Sequence, residues 1–150
     1  MKGKTRKAKP RAPVAPCKRF DPRTEKQEEL AIAFHTHQLV CGIGCAGTGK
    51  TYTTGMVAAR MLLEKRTEKV VLTRPNVPTG RTLGHFPGTI GEKLAPWLAP
   101  ITNVLREGLT PDTYEQMMDR QILIQPLETI RGMSFENSFV IVDEAQNLTL

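Results

Sequence analysis

Apolar residues along this chain recur in two rhythms. From Tyr52 to about Lys65, Met56, Val57, Ala59, Met61, Leu62 and Leu63 fall at helical spacing. The same spacing predicts a helix from about Glu92 to Arg106, bearing Leu94, Trp97, Leu98, Ile101, Val104 and Leu105. Pro96 and Pro100 are expected to kink or split it, and Trp97 is expected in the core. A shorter helix follows Pro111, and another starts at Thr24 after Asp21-Pro22 and ends near His35 and His37. Short continuous apolar runs predict strands at 38–43, 69–73, 121–125 and 138–143. Phe139-Val140-Ile141-Val142 has the pattern of a parallel strand buried on both faces.

Two stretches break these rhythms. Pro75 to Gly91 carries three prolines and Gly80, Gly84, Gly88 and Gly91, too broken for helix or strand and long for a connector, which favours a functional loop. Within it, His85-Phe86 suits base stacking, or Phe86 anchors the loop. The other stretch is the N-terminus. Residues 1–19 hold eight Lys or Arg and no acid, leaving thirteen bases against fifteen acids, a net of −2, over the rest of a +6 chain. The basic character therefore belongs to a tail over residues 1–20, expected to be disordered, and not to the domain at 21–150. Such a tail either binds RNA or DNA phosphates in a salt-sensitive way or merely solubilises.

At 39% hydrophobic residues the composition is that of an ordinary soluble domain. The N-terminus has no apolar run of a signal peptide, and no stretch approaches the roughly 20 apolar residues of a membrane span. Cys17, Cys41 and Cys45 form neither a paired framework nor a zinc spacing, so a cytoplasmic setting is expected.

Chemistry enters between the first predicted strand and the helix after it. Gly44-Cys45-Ala46-Gly47-Thr48-Gly49-Lys50-Thr51 is a complete G-x-x-x-x-G-K-[ST] phosphate loop in its proper strand–loop–helix setting. Gly44, Gly47 and Gly49 permit backbone conformations that aim successive N–H groups at phosphate oxygens. The following helix points its positive end the same way. Lys50 would supply charge to the β- and γ-phosphates, and the Thr51 hydroxyl would ligate Mg²⁺. The run from Gly44 through Cys45, Ala46 and Thr48 to Tyr52 is the expected nucleotide-binding segment. The strand at 138–143 ends in Asp143-Glu144, an acid to hold Mg²⁺ opposite Thr51 and a second to polarise an attacking water. Arg74, at the carboxyl end of the strand at 69–73, is placed for a nucleic-acid phosphate, for the nucleotide or for a structural salt bridge.

Four blocks together carry a family resemblance: Gly42 to Tyr52, Thr73-Arg74-Pro75, Leu83 to Gly88, and Phe139 to Asn147. In order and spacing, from about Thr24 to Leu150, the chain resembles PhoH-like proteins, bacterial and phage P-loop ATPases related to superfamily-one helicases. The resemblance implies a RecA-like P-loop NTPase core of α/β class with a mostly parallel sheet. It implies binding and hydrolysis of ATP with Mg²⁺, a link to RNA or single-stranded nucleic acid, and a ring-shaped homo-oligomer in a complete parent. Helicase-like relatives read adenine with a glutamine placed where Gln27 stands. Thr24-x-x-Gln27 is equally a capping box, so two roles are open for Gln27. Arg131 matches a family position and is a candidate for nucleic-acid contact.

Two departures qualify the likeness. Asn76 to Thr82 replaces an acidic, lysine-containing stretch, and relatives continue beyond the acid pair into elements that supply a γ-phosphate sensor and an arginine. The core is thus expected to be incomplete at its C-terminus and poorly soluble alone, with an exposed side of the sheet. Two other functions fit the same loop: a P-loop phosphotransferase, with acceptor-dependent turnover, and an ATP-binding module without turnover.

Overall fold

The computed structural model describes residues 18–75 and 90–148. The expected tail up to Cys17, most of the loop after Pro75 including His85-Phe86, and Thr149 lie outside the described residues. Four helices and three strands follow in the order α1 (Glu25–Thr36), α2 (Lys50–Leu63), β1 (Lys69–Thr73), α3 (Ile90–Leu109), α4 (Pro111–Met117), β2 (Ile122–Ile124) and β3 (Ser138–Val142). The α/β class and parallel sheet expected from the sequence are what the chain adopts.

The strands pair in the order β2-β1-β3, all parallel. Register places Val70 between Ile122 and Phe139, and Leu72 between Ile124 and Ile141. Because side chains alternate across a strand, these residues share one face. That face packs on α2 and α3 in a core that includes Ala58, Ala59, Leu62, Leu98, Ile101 and Leu105. On the opposite face Val71 and Thr73 of the central strand are also fully buried.

Pro96 and Pro100 do not split α3, which runs as one helix through both. Each internal proline costs about 3 kcal/mol through a lost hydrogen bond and a ring clash. Leu94, Leu98, Ile101, Leu105 and Leu109 form a buried stripe along the same helix. At about 1.5–3 kcal/mol for each buried side chain, that stripe outweighs the two prolines, which face solvent. Trp97 shares their side of the helix and is 45% exposed, so it is not the core residue its apolarity suggested.

Two further corrections concern strands. Residues 38–43 pair with no strand, and Leu39 and Ile43 are 84% and 95% exposed. Their apolar run is a sound strand signal only where a neighbouring strand accepts its backbone. β3, expected to be buried on both faces, buries only Ile141, while Val140 and Val142 are 39% and 36% exposed. β3 is an edge strand, and among the described residues nothing covers its outer face.

The helix layer fixes directions that matter for the site. A Cβ on Gly55 would lie 2.7 Å from Val104, and one on Gly108 would lie 2.7 Å from Ala59. Both glycines therefore let side chains of the facing helix rest against the backbone, bringing α2 and α3 close together. Contacts advance from 55 to 59 on one helix and from 104 to 108 on the other, so α2 and α3 run parallel.

Candidate nucleotide site

Residues 64–68 turn α2 back into β1, making the two antiparallel neighbours. Fourteen helical residues span about 21 Å, and five strand residues about 17 Å. The start of α2 therefore stands level with the carboxyl end of β1. Thr51 is four residues before Gly55, and Pro100 is four before Val104, so with parallel helices Thr51 lies roughly one turn from Trp97 along the axis. Trp97 in turn contacts Arg74, the residue after β1. The loop, the end of β1 and the end of β3 thus share one edge of the sheet, where ligands of open α/β sheets sit.

The loop is built as a cradle. Gly47 and Gly49 adopt φ of 79° and 85°, and Gly49 caps α2 in the left-handed region. Thr48 donates its hydroxyl to the Cys45 carbonyl at 2.9 Å, closing the turn. The Lys50 ammonium donates to the carbonyls of Gly44 and Cys45, each at 2.8 Å, which folds its charge back into the loop. An ammonium has three N–H donors, so one remains for a phosphate oxygen. Tyr52, in the first turn of α2, meets Phe20 with ring centroids 6.3 Å apart. Lys18 pairs with Glu107, so residues 18–20, at the end of the expected tail, lie along α2 and α3.

Gln27 takes up the capping role at the start of α1, accepting from the backbone N–H of Arg23 rather than of Thr24, and adds a tie to the phosphate loop. Thr24 is the N-cap of α1, its hydroxyl accepting from the Gln27 backbone N–H at 3.2 Å. The Gln27 side-chain oxygen accepts from the Arg23 N–H at 2.9 Å, and its nitrogen donates to the Thr48 carbonyl at 3.0 Å. Both ends of the amide are engaged, one at the start of α1 and one in the phosphate loop. A Cβ on Gly49 would approach that nitrogen to 2.5 Å and push the Gln27 amide aside, and the Gly49 φ of 85° strains any residue with a side chain.

Asp143 directly follows β3, and its N–H donates to the Thr73 carbonyl at 2.9 Å, carrying the β1–β3 ladder one step beyond the strand. Its carboxylate faces Arg74, with Oδ2 3.7 Å from Nη1. Burial raises the Asp143 carboxyl above the ordinary range, and the Arg74 charge acts against that rise. Glu144 stands at φ 53°, a conformation costly for a residue with a side chain, and accepts a hydrogen bond from the Gln146 amide. Gln146 and Trp97 are contacts that sequence reasoning missed. The glutamine two residues after Glu144 was a signal within reach, whereas Trp97 carried none. Arg131 is exposed in the turn toward β3, and no described contact joins it to the loop. His35 and His37, at the end of α1, belong to no metal-binding cluster among the described residues.

The donors present fit Mg²⁺. Thr51 and Asp143 offer hard oxygens at one edge of the sheet, and the left-handed Gly47 and Gly49 shape the phosphate loop. No helix among the described residues is long and apolar enough to cross a membrane.

Comparison with known proteins agrees with this picture. Residues 19–150 match the family described as PhoH-like protein. The chain is 42% identical over 128 residues to the PhoH-like protein of Bacillus subtilis, covering 85% of this chain and 40% of that one. It is 39% identical over 128 residues to the Synechocystis PhoH-like protein, covering 85% and 39%. Protein PhoH of Escherichia coli K12 is 37% identical over 130 residues, covering 85% and 37%. The chain thus spans about 40% of the length of the curated relatives it matches. With its phosphate loop, parallel sheet and acid pair at the end of β3, the chain belongs to the PhoH-like protein family.

Proposed function

We propose that this chain binds ATP with Mg²⁺ in the loop Gly44–Thr51, and that a longer parent hydrolyses the nucleotide and couples the step to RNA handling. The observation that carries the proposal is the common level of the α2 N-terminus, Arg74 and Asp143 at one edge of the sheet. Thr51 and Asp143 would hold the metal, which would neutralise β- and γ-phosphate charge when bound. Backbone N–H groups of the loop and the start of α2 would orient the phosphates, and Lys50 would turn its remaining N–H to them. Glu144, one residue beyond Asp143 and bonded by Gln146, would accept a proton from water, a role that favours hydrolysis over phosphotransfer.

Calorimetric titration with Mg²⁺·ATP, set beside Lys50→Ala, tests the binding step. Saturable binding lost in the variant supports it, and equal binding by both refutes it. Turnover measured on the longer parent with and without RNA, beside Glu144→Gln, tests the coupling. RNA stimulation that Glu144→Gln abolishes supports the proposal. Turnover that needs an added acceptor and ignores RNA would mean a phosphotransferase.

A further inference from the structure

Arg74 makes three contacts that the phosphate loop alone does not explain. Its guanidinium faces Asp143 at 3.7 Å, donates to the Trp97 backbone carbonyl at 3.1 Å, and lies over the Trp97 indole with Cζ 5.6 Å from the ring centroid. A single planar cation therefore joins the carboxylate at the end of β3 to the N-terminal half of α3. Lysine has no equivalent, because a point charge cannot bond, pair and stack in one plane.

We infer that Arg74 is a positioning residue that passes the occupancy of the magnesium site to helix α3, by giving up Asp143 when a metal–nucleotide complex takes that carboxylate. The inference rests on the proposal that Asp143 holds the metal.

The physical argument is one of charge. Asp143 and Arg74 are largely shielded from water, with side chains 19% and 23% exposed, so screening between them is weak. A divalent ion on Asp143 would stand beside the guanidinium as a like charge. Arg74 must then either exchange its counterion for a phosphate oxygen or withdraw. Both movements shift the plane that rests on the indole and the N–H that reaches the Trp97 carbonyl.

That carbonyl lies beside a gap in the backbone hydrogen bonding of α3. Pro96 precedes it, and Pro100 lacks the N–H that would bond the Pro96 carbonyl. Trp97 itself is 45% exposed, and the Arg74 guanidinium lies over its ring. A change at Asp143 is thereby delivered to a solvent-facing aromatic on a helix whose far face is locked in the core.

Trp97 is the only tryptophan in the chain, so its emission reports this contact directly. The test is intrinsic fluorescence of the 150-residue chain during titration with Mg²⁺ and a non-hydrolysable ATP analogue, with calorimetry in parallel. The expected result is an emission change that saturates with the calorimetric isotherm and is absent when Mg²⁺ is chelated. In Arg74→Ala at calorimetric saturation the emission should be flat. In Arg74→Lys, which keeps the charge and loses the stacked fork, the response should be reduced to a small fraction. An unchanged response in both variants overturns the inference, as does a silent Trp97 in a wild type that calorimetry shows to be filled. If calorimetry detects no Mg²⁺-dependent nucleotide binding, the nucleotide proposal itself has failed and the inference falls with it. Circular dichroism of both variants separates a lost relay from a lost fold.

Discussion

Gln27 at the start of α1 donates its side-chain amide to the carbonyl of Thr48, 21 residues later in the phosphate loop. The same amide accepts from the Arg23 N–H, so its donor and acceptor are both occupied. Its geometry suits holding the loop in place better than reading a base edge.

Gln27→Ala should therefore weaken Mg²⁺ complexes of ATP and GTP alike, by several-fold, and lower stability by about 0.5–1.5 kcal/mol for each hydrogen bond lost. Calorimetry with both nucleotides and a denaturant melt check this. Loss of affinity for ATP alone would instead assign Gln27 to adenine.

Leu98 carries the energetic role that sequence analysis shared with its neighbour Trp97. It is fully buried against the sheet. Leu98→Ala should cost about 2–5 kcal/mol in chemical denaturation, while Trp97→Ala should cost much less.

His35 predicts a pH dependence. Burial, aided by the charges of Arg66 and Arg60, lowers its pKa below the ordinary value, and its Nδ1 lies 2.8 Å from the Arg66 guanidinium. A neutral ring can accept that bond, and a protonated one cannot. The unfolded chain takes up the proton near about pH 6.5, while the folded chain resists to lower pH. The stabilisation is thus fully present above that value and is lost as pH falls through the depressed folded pKa. Thermal melts between about pH 7.5 and about pH 5 should show a decline that His35→Gln reduces. Identical profiles would remove His35 from the account.

Among the described residues no strand pairs with the outer edge of β3, beside the partly exposed Val140 and Val142. Such an edge favours association with other chains. Sedimentation of the 150-residue chain should reveal concentration-dependent self-association that Val140→Lys diminishes. A monodisperse monomer with a sharp cooperative melt would contradict this.

How much of this was legible in the sequence follows from what each signal depends on. The course of α2 was readable because its apolar spacing and the glycine loop before it are local. β1 and β3 were readable as strands because short apolar runs with turns on either side have few other uses. Residues 38–43 carried the same signal without the same outcome, since pairing depends on a neighbour that no local pattern records. The exposure of Trp97 and the continuous passage of α3 through two prolines were hidden for a related reason. Both are settled by which face of α3 the sheet accepts, a tertiary choice. At the candidate site, residue types alone singled out Lys50, Thr51, Asp143 and Glu144. The ties from Gln27 to Thr48 and from Arg74 to Trp97 join distant segments and needed the fold.

The central claim is that Thr51 and Asp143, 92 residues apart in the chain, act on one metal ion. A double-mutant cycle on Mg²⁺·ATP affinity tests it most directly. Thr51→Ala and Asp143→Asn should each weaken binding by roughly 10–100-fold, and the double variant little further, because removing either ligand already disables the shared ion. Fully additive losses, or a variant whose affinity no longer responds to Mg²⁺ while the other's does, would contradict the account.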